Sequence, residues 1–163
     1  MPCEKLLDFL KERGVGYQMI VHPQAYTAQE IADRARISGK QFAKTVMVMI
    51  DGEMAMAVLP ASKKVNLTLL KQVSGAEEVT LASEPDFKDK FPDCDLGAMP
   101  PFGNLYGLDV YVAGSLGEVD EIAFNAGTHT ELIKMAYADF EKIVAPKIAR
   151  FTYHEPTERP EDR

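Results

Sequence analysis

The sequence predicts an α+β protein in which a mixed β-sheet or partly closed barrel is surrounded by helices. Three observations lead there. Apolar runs of strand length recur along the chain without strictly alternating with helices, which argues against a doubly wound parallel sheet. Two of these runs, Thr45 to Ile50 and Glu53 to Leu59, are joined by Asp51-Gly52, the mark of a β-hairpin. Only a few segments carry apolar residues at helical spacing.

Taken in order, Cys3 to Arg13 places Leu6, Leu7 and Leu10 on one helical face, and Gly14 stops the helix. Val15 to Val21 reads as a strand entering His22-Pro23. Thr27 followed by Glu30 forms a capping box for a helix ending near Ala35, before a loop at Ser38-Gly39. The hairpin of Lys44 to Leu59 comes next, its Val/Ile/Met content suiting a strand buried on both faces. Asn66 caps a helix through Val73 that Ser74-Gly75 ends. Val79 to Leu81 is a short strand, and Ser83 with Asp86 caps a helix through Phe91. Asp95 to Asn104 holds Pro100 and Pro101 between two glycines, so it is an ordered loop: neither proline can donate a backbone hydrogen bond. Asp109–Val112, Glu118–Asn125 and Thr130–Met135 follow as strands, the last two joined through Ala126 to His129, and Tyr137 to Val144 is a final helix. Residues 1–151 make one domain; 152–163, rich in Pro and charge, are expected to be a disordered tail.

The 163 residues are enough to close a sizeable core, and 46% apolar with 26% charged content is ordinary for a soluble globular protein. No apolar run is long enough to span a bilayer, and Met1-Pro2-Cys3-Glu4-Lys5 lacks the pattern of a signal peptide. Cys3 and Cys94 have no Cys-x-x-Cys spacing, so a reducing, cytoplasmic setting is expected, with one disulfide between them as the alternative. A net charge of −7 argues against binding along the length of a nucleic acid. The charge is uneven, however. Arg34 to Lys71 carries seven basic residues against two carboxylates, and Gln72 to Glu141 carries three lysines against fourteen carboxylates. The basic stretch is either a polarised solvated surface or a patch that accepts a few phosphates at a nucleic-acid end.

The histidines have no metal-ligand spacing, and no cofactor is implied. No nucleophile elbow, P-loop or dinucleotide fingerprint is present. Three features remain. Lys44, at the mouth of the hairpin, either snorkels to water or is a fixed cation at the rim of a pocket. The Gly97–Gly103 loop presents N–H groups at Gly97, Ala98 and Gly103, and is either a stiff corner or an oxyanion cradle for acyl transfer. The loop from Asn125 through Gly127 to His129 offers an amide, a close backbone and an imidazole, and is either solvated or beside a substrate.

Read together, these motifs resemble the YbaK family, the prolyl-tRNA synthetase associated or editing domain. The resemblance runs from about Cys3 to Val144. It rests on His22-Pro23 with the Thr27 helix start, Lys44-Thr45 opening an apolar strand, Gly97-Ala-Met-Pro-Pro101 leading into Phe102-Gly103, and Phe124-Asn-Ala-Gly127-Thr-His129 through Met135. It implies a free-standing aminoacyl-tRNA deacylase that hydrolyses the ester of mischarged tRNA in trans, without metal. Its partners would be the acceptor end of a charged tRNA and a synthetase, with no membrane. It further implies Lys44, Gly97 and Ala98 as catalytic residues. His22, Tyr26, Thr45, Met99, Pro101, Phe102, Gly103, Asn125, Gly127 and His129 would bind substrate. His129 matches the alanine-clearing branch on tRNA(Pro) better than the branch acting on Cys-tRNA(Pro). Two other readings stay open: a pocket module that binds an amino acid or nucleotide without turnover, and a hydrolase of another small ester.

Overall fold

The computed structural model describes residues 3–23, 30, 35, 37–95 and 97–153. Its centre is a five-stranded mixed sheet. Strands β2 (Ala43–Ile50) and β3 (Glu53–Pro60) form the expected hairpin in full register from Ala43↔Pro60 to Ile50↔Glu53. Both link residues take positive φ, 51° at Asp51 and 81° at Gly52, the geometry a tight two-residue turn requires. The Asp51 carboxylate accepts the N–H groups of Glu77 and Glu78, each at 2.9 Å, and so ties the turn to β5 (Val79–Leu81), which lies antiparallel to β2. On the other side β3 pairs in parallel with β6 (Asp109–Ala113), and β6 with β9 (Lys147–Ala149). The run from Ala55 to Pro60 is buried throughout, as a strand paired on both sides and covered on both faces must be.

Alternation along the strands divides their side chains between two cores. Ala43, Met47, Met56, Val58, Val110 and Val112 face the larger one, which also holds Leu6 and Leu10 of helix α1 (Glu4–Glu12) and a cluster of Phe102, Phe124 and Phe140. Val48, Ala55, Ala57, Leu59 and Tyr111 face the smaller one, closed by Leu70 of α2 (Leu67–Ser74) and by Phe151. The Asn66 side chain accepts the Leu69 N–H at 3.0 Å, so α2 starts where its cap was expected. A second sheet is antiparallel, with β8 (Glu131–Ala136) between β1 (Tyr17–Val21) and β7 (Glu121–Asn125). A parallel bridge between Phe42 and Ala123 brings the sheets together. Helix α4 (Tyr137–Val144) leaves β8 directly and buries Tyr137, Phe140 and Val144.

The fold is therefore α+β built around an open mixed sheet, the first of the two expected forms, and among the described residues no sheet closes into a barrel. Three local expectations need correction. The helix begun at Ser83, α3 (Glu84–Phe87), ends four residues before Phe91, because Phe91 turns inward and meets the Tyr106 ring edge-on at 4.6 Å. The strand expected from Glu118 starts at Glu121, since Gly114–Glu118 is a 3-10 turn. The ordered chain runs past residue 151: β10 (Thr152–Tyr153) pairs antiparallel with β4 (Lys64–Val65). Cys3 and Cys94 are both free thiols, the first of the two readings given for them. Of the helix expected after Thr27, only Glu30 and Ala35 fall within the described residues, and both are helical; Tyr26, Thr27 and residues 154–163 lie outside them. Among the described residues no helix is long and apolar enough to cross a membrane.

Candidate active site

The site is built on one face of the second sheet. Register aligns Ile20, Leu132 and Asn125 in a row across β1, β8 and β7, so their side chains share a face. The opposite face, with Phe124, Ile133 and Met135, is given to the main core. Phe42, fully buried, packs with Leu132, Ala61 and Ile20, so the start of β2 lies over the Asn125 face. Lys44 follows Phe42 by two residues and points to the same side, where its Nζ donates to the Ala61 carbonyl at 3.4 Å. By the same alternation Thr45, half-buried, turns to the main-core side with Ala43 and Met47.

His22 extends the β1–β8 ladder by one rung, its N–H donating to the Thr130 carbonyl at 2.9 Å. Its side chain is only 5% exposed. Nδ1 lies 2.8 Å from the Pro23 carbonyl, which can only accept, so Nδ1 carries a proton, and in the uncharged tautomer this leaves Nε2 as an acceptor. Among the described residues, His22 Nε2 and Asn125 Oδ1 are buried without a hydrogen-bond partner. Both belong to the sheet face under Phe42, with α-carbons roughly 12 Å apart by strand geometry. Two buried acceptors left open at one end of a sheet are a costly arrangement, unless a donor arrives from outside.

The Gly97 loop closes this end of the sheet. The Asp95 N–H donates to the Gly127 carbonyl at 2.7 Å and the Gly127 N–H to the Ala98 carbonyl at 3.0 Å. This stitches the loop to the 126–130 turn. Gly97 is exposed with φ +84°, and a Cβ placed there would stand 3.6 Å from Cε1 of His129. The 126–130 turn holds its own shape: Ala126 N–H bonds the Glu131 carbonyl, and Thr128 Oγ1 donates to the Glu131 carboxylate at 3.1 Å. Lys44, His22, Asn125, Gly97 and His129 are thus gathered at one end of the molecule by the Phe42 crossover and this stitched turn.

Several residues expected at the site also make structural contacts. Ala98 donates its N–H to the Asp95 carbonyl at 3.0 Å, whereas the Gly97 N–H has no acceptor among the described residues. Met99, Pro101 and Phe102 are buried, Phe102 at the centre of the aromatic cluster. Gly103 is glycine because a Cβ would meet Val110 Cγ2 at 2.8 Å and the Leu108 carbonyl at 2.9 Å. Gly127, at φ +103°, is glycine because Cys3 packs against it, with a Cβ–Cβ distance of 3.0 Å. Cys94 sits near Tyr106 on the same loop, and burial pushes its thiol up to about 12, so it is a neutral group at neutral pH and not a nucleophile. Sequence reasoning missed Phe42 and Thr130; the apolar residue two positions before Lys44 was the available sign of the first.

A separate cleft of about 510 Å³ opens at the far end of the hairpin, lined by Met49, Glu53, Met54, Asp86, Lys90 and Leu108 among others. None of the residues singled out above lines it. Among the described residues no group of His, Cys, Asp and Glu is arranged to hold a metal ion.

A family model described as the aminoacyl-tRNA editing domain matches residues 22–143. The multifunctional Ser/Thr-tRNA deacylase ProXp-y of Escherichia coli (strain K12) is 27% identical over 153 residues, covering 91% of each chain. A proline–tRNA ligase of Macrococcus caseolyticus (strain JCSC5402) is 24% identical over 132 residues, which span 75% of this chain and 23% of the ligase. The crystal structure of a proposed trans-editing enzyme for prolyl tRNA synthetase superposes with a TM-score of 0.81 at 17% identity, covering 93% of this chain and 96% of that one, and so shares its fold.

Proposed function

This chain belongs to the aminoacyl-tRNA editing domain family, and from that premise we propose that it is a trans-acting deacylase clearing serine or threonine from mischarged tRNA. The observation that carries the choice of amino acid is the pair of open acceptors, His22 Nε2 and Asn125 Oδ1. Every aminoacyl ester brings an α-ammonium, and a serine or threonine side chain adds a short hydroxyl donor beside it, so that the two acceptors can be met by two separate groups. Alanine, the amino acid expected from the sequence resemblance, brings no side-chain donor and ranks below serine. The E. coli relative named as a Ser/Thr-tRNA deacylase agrees with that order. One buried hydrogen bond lost costs about 1–3 kcal/mol, or roughly 5- to 150-fold in kcat/KM. The likeness to a segment of proline–tRNA ligases favours tRNA(Pro) as the carrier and a synthetase as the source of the mischarged product.

The ester is already activated, so the reaction needs only water, position and charge stabilisation. Water attacks the carbonyl carbon, assisted by the vicinal ribose hydroxyl; the carbonyl oxygen gains negative charge and faces the Gly97 N–H. The C–O bond to the ribose then breaks, the ribose oxygen takes a proton, and the free amino acid leaves. Lys44 binds the terminal phosphate or ribose and fixes the ester relative to the Gly97 loop, while His129 walls the pocket on that side.

Deacylation of Ser-, Thr-, Ala- and Cys-tRNA(Pro) is the direct test, with Lys44→Ala alongside. Serine and threonine are expected to be released fastest, with Lys44→Ala slower by about 10²-fold at unchanged Tm. Release of none of the four by folded protein would overturn the assignment, and alanine released faster than serine would overturn the role of the two acceptors.

A further inference from the structure

The proposed site takes only the reacting end of a substrate; the surface beside it has the make-up of a track for a polyanion. Turns 38–40 and 61–63 are pressed together, the Ser62 N–H donating to the Gly39 carbonyl at 3.2 Å and a Cβ at Gly39 reaching within 3.1 Å of Ser62 Cβ. This contact holds Lys40 and Lys63 on adjoining turns, next to the Ala61 carbonyl that Lys44 bonds. Lys64 opens β4, and its cross-strand partner is Tyr153 of β10. Tyr153 is 41% exposed, an aromatic face offered to solvent among lysines. The only carboxylates in the sequence between Lys40 and Lys71, Asp51 and Glu53, sit at the hairpin's far turn, six or more residues along the strand from Lys44, or roughly 20 Å.

We propose that Lys40, Lys63, Lys64 and Tyr153 form the platform on which the backbone and unpaired 3′ end of an RNA lie as its terminal aminoacyl group enters the pocket of His22 and Asn125. This deepens, and rests on, the deacylase reading. Lysines on adjoining turns can neutralise phosphates and release their counterions, and a tyrosine face stacks on a base of any identity, which suits a 3′ end common to many carriers. The rest of the chain is acidic enough to repel RNA, so attraction confined to this patch orients the approach. Partner chemistry is thereby fixed as a single-stranded phosphodiester, not an acidic protein surface.

The test compares Lys40→Gln/Lys63→Gln and Tyr153→Leu with the wild type on two substrates, full-length seryl-tRNA and 3′-O-seryl-adenosine, which lacks the phosphates and the other bases. On tRNA, KM is expected to rise about tenfold for either variant at unchanged kcat, and the double lysine variant to lower the log–log salt slope by about 1.4. On seryl-adenosine no change is expected. Unchanged KM and salt slope on tRNA would overturn the platform while leaving the deacylase standing. Equal losses on both substrates would also overturn it, as would intact tRNA kinetics with lost binding to an acidic synthetase surface. If the wild type hydrolyses neither substrate, the deacylase reading fails, and the platform is judged by fluorescence anisotropy of uncharged tRNA: weaker binding by the variants upholds it, and equal binding overturns it.

Discussion

At the scale of single residues, the site sets binding against stability. Asn125 Oδ1 is buried without a partner, so Asn125→Ala is expected to leave stability unchanged or raise it by about 1 kcal/mol, with kcat/KM on seryl-tRNA falling at least tenfold. Thermal denaturation beside the deacylation assay checks both. The glycines separate in the same way. Gly97→Ala meets only left-handed strain, about 1 kcal/mol, and is expected to lower kcat. Gly127→Ala must also push Cys3 away and is expected to cost about 2 kcal/mol or more. Denaturant unfolding distinguishes the two. Lys44 and Gly97 were open to reading from the residues alone, as a cation in an apolar run and a glycine before prolines, whereas His22 entered only through the family resemblance. That Ala98, Phe102 and Gly103 serve the scaffold was not legible: it depends on contacts with Asp95, Phe124 and Val110, far from anything a motif reports.

At the scale of elements, local chemistry carried the assignment wherever it was strong. Asp51-Gly52 sets the hairpin turn, Asn66 caps α2, and Gly14 and Gly75 end their helices at φ +66° and +72°. The elements that escaped, β4, β9 and β10, are two or three residues long and exist only because a distant strand lies alongside. A period of two cannot be read from so few positions. The same shortness hid Phe151, which looked like the edge of a tail and is fully buried beneath α2. Phe151→Ala is expected to cost about 3–5 kcal/mol, measured by urea denaturation; a loss below 1 kcal/mol would mean that the second core closes without it.

At the scale of the whole molecule, the two hairpins are local but the pairings beyond them connect distant parts of the chain. β3 pairs with β6 and β6 with β9, both in parallel, and the Cys3 N–H bonds the Ala126 carbonyl at 2.8 Å. Loop closures of that length come before the contacts that reward them, so refolding is expected in milliseconds to seconds by stopped-flow fluorescence of the tyrosines, and not in microseconds. The docking of α1 carries a consequence for the chain while it is being made. Leu6 and Leu10 leave the ribosome more than a hundred residues before Phe124, Ala126 and Phe140, members of the same core. At about 5–20 residues per second, that helix spends several seconds with its apolar face bare. A nascent chain of this protein is thus a client for whatever shields greasy helices at the tunnel exit, long before it has any pocket to edit with.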